Sequence, residues 1–241
     1  MSGHSKWHSI KHKKAAADSK RAGIFTKLAK NIVVAARLGG GDPDMNFSLR
    51  IAIQKAKEVN MPSDNIEKAI KRGTGELEGG EIVEAVYEGF GPGKVGLVIV
   101  SQTDNTNRAL TDIRTLLNKN GGEMASQGSV SWNFDKKGVA YISPEALEGK
   151  DFDEIELELI DAGATDIEKE DGSLAVFTEV QGFGAMLKKL EELGITPTDS
   201  GLEYVAKTKK ELTPEQEEKL MHLLDVLDDN DDVDKVFHEA Q

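Results

Sequence analysis

The chain has 241 residues, 38% hydrophobic and 30% charged, with no cysteine and a formal net charge of −13 at pH 7. That length admits one large domain or two to three small ones with proper cores. The lack of cysteine excludes disulfides, thiolate nucleophiles and cysteine-ligated zinc or iron–sulfur sites. No apolar run approaches the ~18–20 residues of a membrane span.

Residues 1–14 mix Gly, Ser, His and Lys around Trp7 and Ile10 without apolar periodicity, and read as an extended arm. The arm is charged with no apolar segment behind it, so a cytoplasmic protein without a secretory signal is expected. A helix is predicted over residues 15–38. Phe25, Leu28, Ala29, Ile32 and Ala36 recur on one face, and Lys20, Lys27, Lys30 and Arg37 lie opposite, with Arg21 on the apolar side. Gly39, Gly40, Gly41, Asp42 and Pro43 end it. A second helix is predicted over 46–59. A third, entered through an Asp64/Glu67 capping box, ends at Gly73. These three helices form a small bundle closed by the glycine-rich stretch 73–80.

Beyond it the apolar period changes from helix to strand. Strands are predicted at 81–90 and 95–101 around a Gly91-Pro92-Gly93 turn, followed by a helix at 105–118 capped by Asp104 or Asn105. A hairpin of 129–134 and 138–142 turns at Asp135, Lys136 and Lys137. Then come a helix at 151–162, strands at 165–169 and 173–178, a helix at 183–193, strands from Thr196 and near 202–206, a helix at 214–227 and a strand at 233–237. The fold class expected is α+β: an N-terminal three-helix bundle followed by two ferredoxin-like α/β sandwich domains, the middle one discontinuous. The domains run over residues 1–78, over 79–127 together with 200–241, and over the inserted segment 128–199.

The negative total averages two unlike parts. Residues 1–80 carry 15 Lys and Arg against 8 Asp and Glu, a net +7, whereas residues 81–241 carry a net −20. The extreme is residues 1–37, with nine basic residues (Lys6, Lys11, Lys13, Lys14, Lys20, Arg21, Lys27, Lys30 and Arg37) and one acid, Asp18. A charge run is usually only a solvated surface. Here its sign opposes the rest of the chain, it continues from an arm onto one helix face, and Trp7 lies within it. Lysine and arginine neutralise phosphates, and an indole stacks on an unpaired base, so these residues are the candidate nucleic-acid-binding set.

The remaining motifs carry less. His4, His8 and His12 have a spacing that would align on a helix, but no acid lies nearby to orient an imidazole, and no metal or other cofactor is expected. The glycines at 89–93 lie between two strands and those at 73–79 follow a helix, so neither fits a phosphate loop or a dinucleotide fingerprint. Past the arm only His222 and His238 are available to a Ser–His–Asp arrangement. Asp228, Asp229, Asp231 and Asp232 read as a solvated acidic loop, and no catalytic residue is assigned. The stretch 121–130, with Met124, reads as a connector or a contact finger.

The segments GHSKW (3–7), LGGGDP (38–43), NMPSDNIEKAIKRGTGE (60–76), YEGFGPGK (87–94), TDNTNR (103–108), GSVSWNF (128–134) and DVDKVFH (232–238) resemble the YebC/PmpR family along the whole chain. The resemblance implies three domains with a discontinuous middle one, no catalytic residues and no cofactor. It also implies a DNA-binding transcriptional regulator, with Lys6, Trp7, Lys11, Lys13 and Lys14 entering nucleic acid. Relatives of that family, among them a mitochondrial activator of cytochrome oxidase subunit translation, act at the ribosome and ease synthesis of proline-rich stretches. A ribosome-associated factor holding ribosomal RNA is therefore the alternative, and the bundle's lack of a clear helix-turn-helix recognition helix favours it slightly. Protein partners are expected on the acidic domains, and no membrane partner.

Overall fold

The computed structural model describes residues 18–241, with side chains from Gly23 onward. Its first element, α1 (Asp18–Gly39), is followed by α2 (Phe47–Glu58) and α3 (Ser63–Thr74). The apolar stripe anticipated for α1 faces inward: Ile32, Val33 and Ala36 are buried against Leu49, Ala52, Ala56, Ile66 and Ala69, while Phe25, Leu28 and Ala29 pack at the margin. The α1–α2 turn depends on Asn46. Its side chain accepts the Leu49 N–H at 3.1 Å as the cap of α2, and donates to the carbonyls of Ala35 at 2.9 Å and Gly40 at 2.8 Å. Gly73 lets α3 approach α1: a Cβ there would stand 2.5 Å from the Val33 carbonyl oxygen and 2.7 Å from the Ala36 Cβ. The start of α3 departs from the predicted capping box. Pro62 is the cap and makes no side-chain bond, Asp64 sits in the first turn, and Glu67 pairs with Lys71 one turn on.

Next come β1 (Val83–Gly91), β2 (Val95–Thr103), α4 (Thr106–Lys119) and the short β3 (Glu123–Met124). They are followed by β4 (Phe134–Ile142), α5 (Phe152–Asp161), β5 (Ala164–Glu170), β6 (Ser173–Glu179), α6 (Phe183–Glu192) and β7 (Asp199–Ala206). The chain closes with α7 (Pro214–Asp228) and β8 (Val233–His238). Among the described residues these strands make two four-stranded antiparallel sheets, ordered β3-β1-β2-β8 and β5-β6-β4-β7. The fold is thus α+β, with a helical N-terminal bundle.

The second sheet is a βαββαβ unit with the ferredoxin-like strand order, its helices α5 and α6 packed over Ala140, Ile142, Leu174 and Val176. The first sheet has the same two-layer build but another order: the β1–β2 hairpin is central, β3 joins one side, and β8 arrives from the far end of the chain.

Strand β2 is buried along its whole length, which accounts for its unbroken apolar run. Val95, Leu97 and Ile99 point into a core with Ile113 and Leu117 of α4 and Leu220, Leu223, Leu224 and Leu227 of α7. The alternate residues Val98 and Val100 point the other way, onto Val130, Phe134 and Phe237, with Tyr204 and Ala206 at the edge. One strand therefore serves its own core and the contact between the two sheets.

Two sequence expectations are corrected here. The charged triplet Asp135, Lys136 and Lys137 predicts a turn, because such residues are depleted in strands. Strand β4 instead runs straight through it, paired with β6 and β7 on its two sides. The charges are met by ion pairs: Asp135 with Lys207 at 3.2 Å, Lys136 with Glu84 at 3.8 Å and Lys137 with Glu179 at 3.9 Å. The strand near 202–206, grouped by sequence with the C-terminal segment of the discontinuous domain, is part of β7 and pairs with β4 in the second sheet, from Phe134↔Ala206 to Tyr141↔Asp199.

Candidate nucleic-acid interface

Of the ten predicted contact residues, Lys6, Trp7, Lys11, Lys13 and Lys14 lie outside the described residues. Lys20 and Arg21 belong to the backbone of α1, but their side chains also fall outside. The other three are well defined, and they face the chain itself.

Lys27 pairs with Asp228, at 3.2 Å from its carboxylate, and also donates to the Asp228 carbonyl. Lys30 Nζ donates to the Gln102 carbonyl at 2.9 Å, the Asp231 carbonyl at 2.9 Å and Asp232 Oδ1 at 2.8 Å. Arg37 donates to the Ile82 carbonyl and stands 3.5 Å from Glu81. The basic face of α1 is thus directed at the end of α7, the 228–232 turn and the entry to β1. The expectation of a solvated acidic loop holds for the exposed Asp229 and Asp231. It is corrected for Asp232, which is buried, and for Asp228, which is half-buried against Lys27.

Asp232 is the centre of this arrangement. Besides Lys30 it receives Arg108, whose Nε donates to Oδ2 at 2.9 Å and whose Nη2 donates to Oδ1 at 3.1 Å. Burial pushes the Asp232 carboxyl up, but the hydrogen bonds from Lys30 and Arg108 outweigh it and hold the carboxyl below its usual range. Arg108 follows from the local structure: Asn105 caps α4 by accepting the Arg108 N–H at 3.0 Å, which sets the guanidinium over Asp104 and Asp232. In the sequence, TDNTNR shows only the cap. Arg108's partner lies 124 residues away.

A second set of pairs holds the bundle to the other sheet. Lys55 of α2 bonds Asp199 and Arg50 bonds Glu191. Lys235 of β8 reaches Glu203 at 2.7 Å and Asp199 at 3.8 Å, and Glu203 also accepts the Tyr141 hydroxyl at 2.9 Å. Burial first, and then the Glu203 charge, push the Tyr141 hydroxyl well up. Lys235 remains firmly protonated: burial opposes its charge, and Asp199 and Glu203 more than restore it.

The stretch 121–130 is held in place. The buried Glu88 carboxylate accepts the N–H of Gly128 at 2.7 Å, of Val130 at 2.6 Å and of Ser131 at 3.0 Å, and the Glu88 carbonyl accepts the Ala125 N–H at 2.8 Å. Burial raises the Glu88 carboxyl, and the three backbone bonds lower it further than burial raises it. Met124, in the stretch read as a connector or a contact finger, packs half-buried against the first sheet's core. Among the described residues no group of three or more His, Asp or Glu is placed to hold a metal ion, and no helix is long and apolar enough to cross a membrane.

Residues 5–76 match the TACO1/YebC protein N-terminal domain, and residues 82–240 match the TACO1/YebC second and third domain. A probable transcriptional regulatory protein of Halothermothrix orenii is 48% identical over 240 residues, covering 98% of this chain and 94% of that one. One of Fervidobacterium nodosum is 47% identical over 237 residues, covering 98% and 92%. The crystal structure of a conserved hypothetical protein from Aquifex aeolicus superposes with a TM-score of 0.81 at 35% identity, over 96% of this chain and 95% of that one. The chain belongs to the TACO1/YebC family.

Proposed function

We propose that this protein is a non-enzymatic, DNA-binding regulator of transcription that grips its target through the basic segment ahead of Gly23: Lys6, Trp7, Lys11, Lys13, Lys14, Lys20 and Arg21. The observation that carries the reading is the charge division, net +7 in residues 1–80 against −20 beyond them. A strongly acidic body repels phosphate, so the positive surface has to be concentrated where nucleic acid is to bind. The names of the relatives, probable transcriptional regulatory proteins, support the choice of DNA.

The contacts of α1 divide the labour within the basic segment. Lys27, Lys30 and Arg37 are spent on the chain's own carboxylates and carbonyls. They anchor α1, and the residues before them are left for the phosphate contacts.

The test combines charge reversal with recovery of the bound nucleic acid. Changing Lys11, Lys13 and Lys14 to Glu is expected to weaken binding to duplex DNA and to flatten its dependence on salt. Unchanged affinity would place the surface elsewhere. Crosslinking in cells followed by sequencing should enrich promoter DNA. Recovery of ribosomal RNA with co-sedimentation of ribosomes would overturn the choice of DNA.

A further inference from the structure

The chain has two tryptophans, and the second, Trp132, lies in the turn Ser131–Asn133 that leads from the first α+β domain into β4. It is 69% exposed, while Asn133 and Phe134 beside it are buried. An exposed ring on a loose loop would need no explanation, but this one is fixed. Its Nε1 donates to the Ser129 carbonyl at 3.0 Å. Asn133 locks the turn to the segment after β7: Nδ2 donates to the Thr208 carbonyl at 2.9 Å and to Glu239 at 2.6 Å, and Oδ1 accepts the Thr208 N–H at 3.2 Å. The Asn133 carbonyl accepts the Lys207 N–H at 2.8 Å, and Lys207 Nζ donates to the Trp132 carbonyl at 3.0 Å. On its other side the loop is tied to Glu88. The turn is braced so that a large apolar ring stands in solvent.

Lysines gather near the turn, together with the carboxylates of Glu88 and Glu239 that hold it. Residues 207–210 read Lys-Thr-Lys-Lys, and Lys210 Nζ donates to the Lys94 carbonyl at 2.9 Å, bringing Lys94 alongside. With Lys136 of β4, these are five of the 15 basic residues in 81–241. Three of the five also meet acids: Lys207 meets Asp135, Lys136 meets Glu84 and Lys94 meets Glu123 at 2.6 Å. Lys209 is exposed. The loop 125–130 (Ala-Ser-Gln-Gly-Ser-Val) adds no charge.

We propose that Trp132 is a stacking platform for one unpaired base of single-stranded nucleic acid, with the exposed Lys209 carrying an adjoining phosphate. This rests on the reading of the protein as a nucleic-acid binder and adds to it a second contact on the acidic body. Every base has a π-face, so a fixed indole takes any of them, whereas a base inside a duplex has both faces already stacked. A ring that is held before binding loses little conformational freedom on contact. A protein anchor is the competing occupant, but it would need an apolar surround at its centre. The turn is instead flanked by Ser129, Thr208 and Lys207.

The test uses the full chain. In Trp7→Phe, Trp132 is the only tryptophan, and its fluorescence reports on its own ring. Titration with a thymine 12-mer, a uracil 12-mer and a duplex of equal length is expected to quench it with a single strand and leave it unchanged with the duplex. Quenching by one 12-mer and not the other would name opened DNA or RNA as the source of the base. Trp132→Ala in the wild-type chain should weaken single-strand binding about fivefold to about a hundredfold, leave duplex binding unchanged, and be partly rescued by Trp132→Phe. Single-strand binding with unchanged Trp132 fluorescence and no loss in Trp132→Ala would overturn the platform and leave the arm reading standing. Failure of the wild-type chain to bind any of the three probes would overturn both.

Discussion

Lys30 and Asp232 meet at 2.8 Å across 202 residues of chain, the ammonium on the first helix and the carboxylate at the entry to the last strand. Both side chains are largely enclosed, at 16% and 7% exposure. Arg108 closes on the same carboxylate from α4. The pair therefore couples the seating of the basic helix to the first α+β domain.

Removing that carboxylate should loosen the seat without unfolding the body. An exposed ion pair contributes ~0–1 kcal/mol, and breaking a fully buried one costs ~3–5 kcal/mol. Asp232→Asn is expected to fall between, at about 2 kcal/mol. Hydrogen exchange should show faster opening of residues 23–39 than in wild type, with the protection of β4 and β6 preserved. Equal protection of α1 in both proteins would show that the pair does not hold the helix.

Acid should act on the same contact. Asp232 and Glu88 both have carboxyls held below their usual range in the folded protein. Such groups stabilise the fold fully above the unfolded value, near ~4, and lose that contribution as pH falls through the folded value. Urea midpoints should thus be level above pH ~5 and drop steeply below pH ~4. Asp232→Asn should drop less steeply. Parallel curves would remove Asp232 from the cause.

Glu88→Ala would leave three backbone N–H groups without their acceptor. A hydrogen bond to a charged group is worth about 1.5–3 kcal/mol, and orphaned donors add to the loss. The expected outcome is a destabilisation of at least about 2 kcal/mol and rapid exchange over 125–131, with α1–α3 unaffected. Unchanged exchange at Gly128 and Val130 would contradict the role assigned to Glu88.

Gly73→Ala tests the bundle by itself. The added methyl would meet backbone of α1 at 2.5 Å, which no rotamer can relieve. Overpacking of this kind costs about 1–3 kcal/mol. Thermal unfolding should shift down, and the loss should appear in the exchange of α1 and α3. A neutral Gly73→Ala would mean that the helices separate freely.

Sequence periodicity was sufficient for the kind and order of the seven described α-helices and of β1, β2, β5, β6 and β8, because whether apolar residues recur every two or every three to four positions follows from strand and helix geometry alone. It missed β3 and divided β4 and β7. The inward stripe of α1 was legible from the same periodicity. Turn and cap residues marked the turn at 91–94 and a cap at Asp104 or Asn105, which the structure assigns to Asn105. Charge division between the ends of the chain could also be counted directly. Pairing between distant segments could not. The destination of Lys27 and Lys30, the transfer of 199–206 to the second sheet and the passage of β4 through three charged residues each depend on partners supplied from elsewhere in the chain. Lys30 illustrates the limit. One helix face tells that a lysine points away from its own core, but only the arrival of the 228–232 turn makes that direction an ion pair instead of open solvent, since Coulomb attraction depends on distance in space and not along the chain.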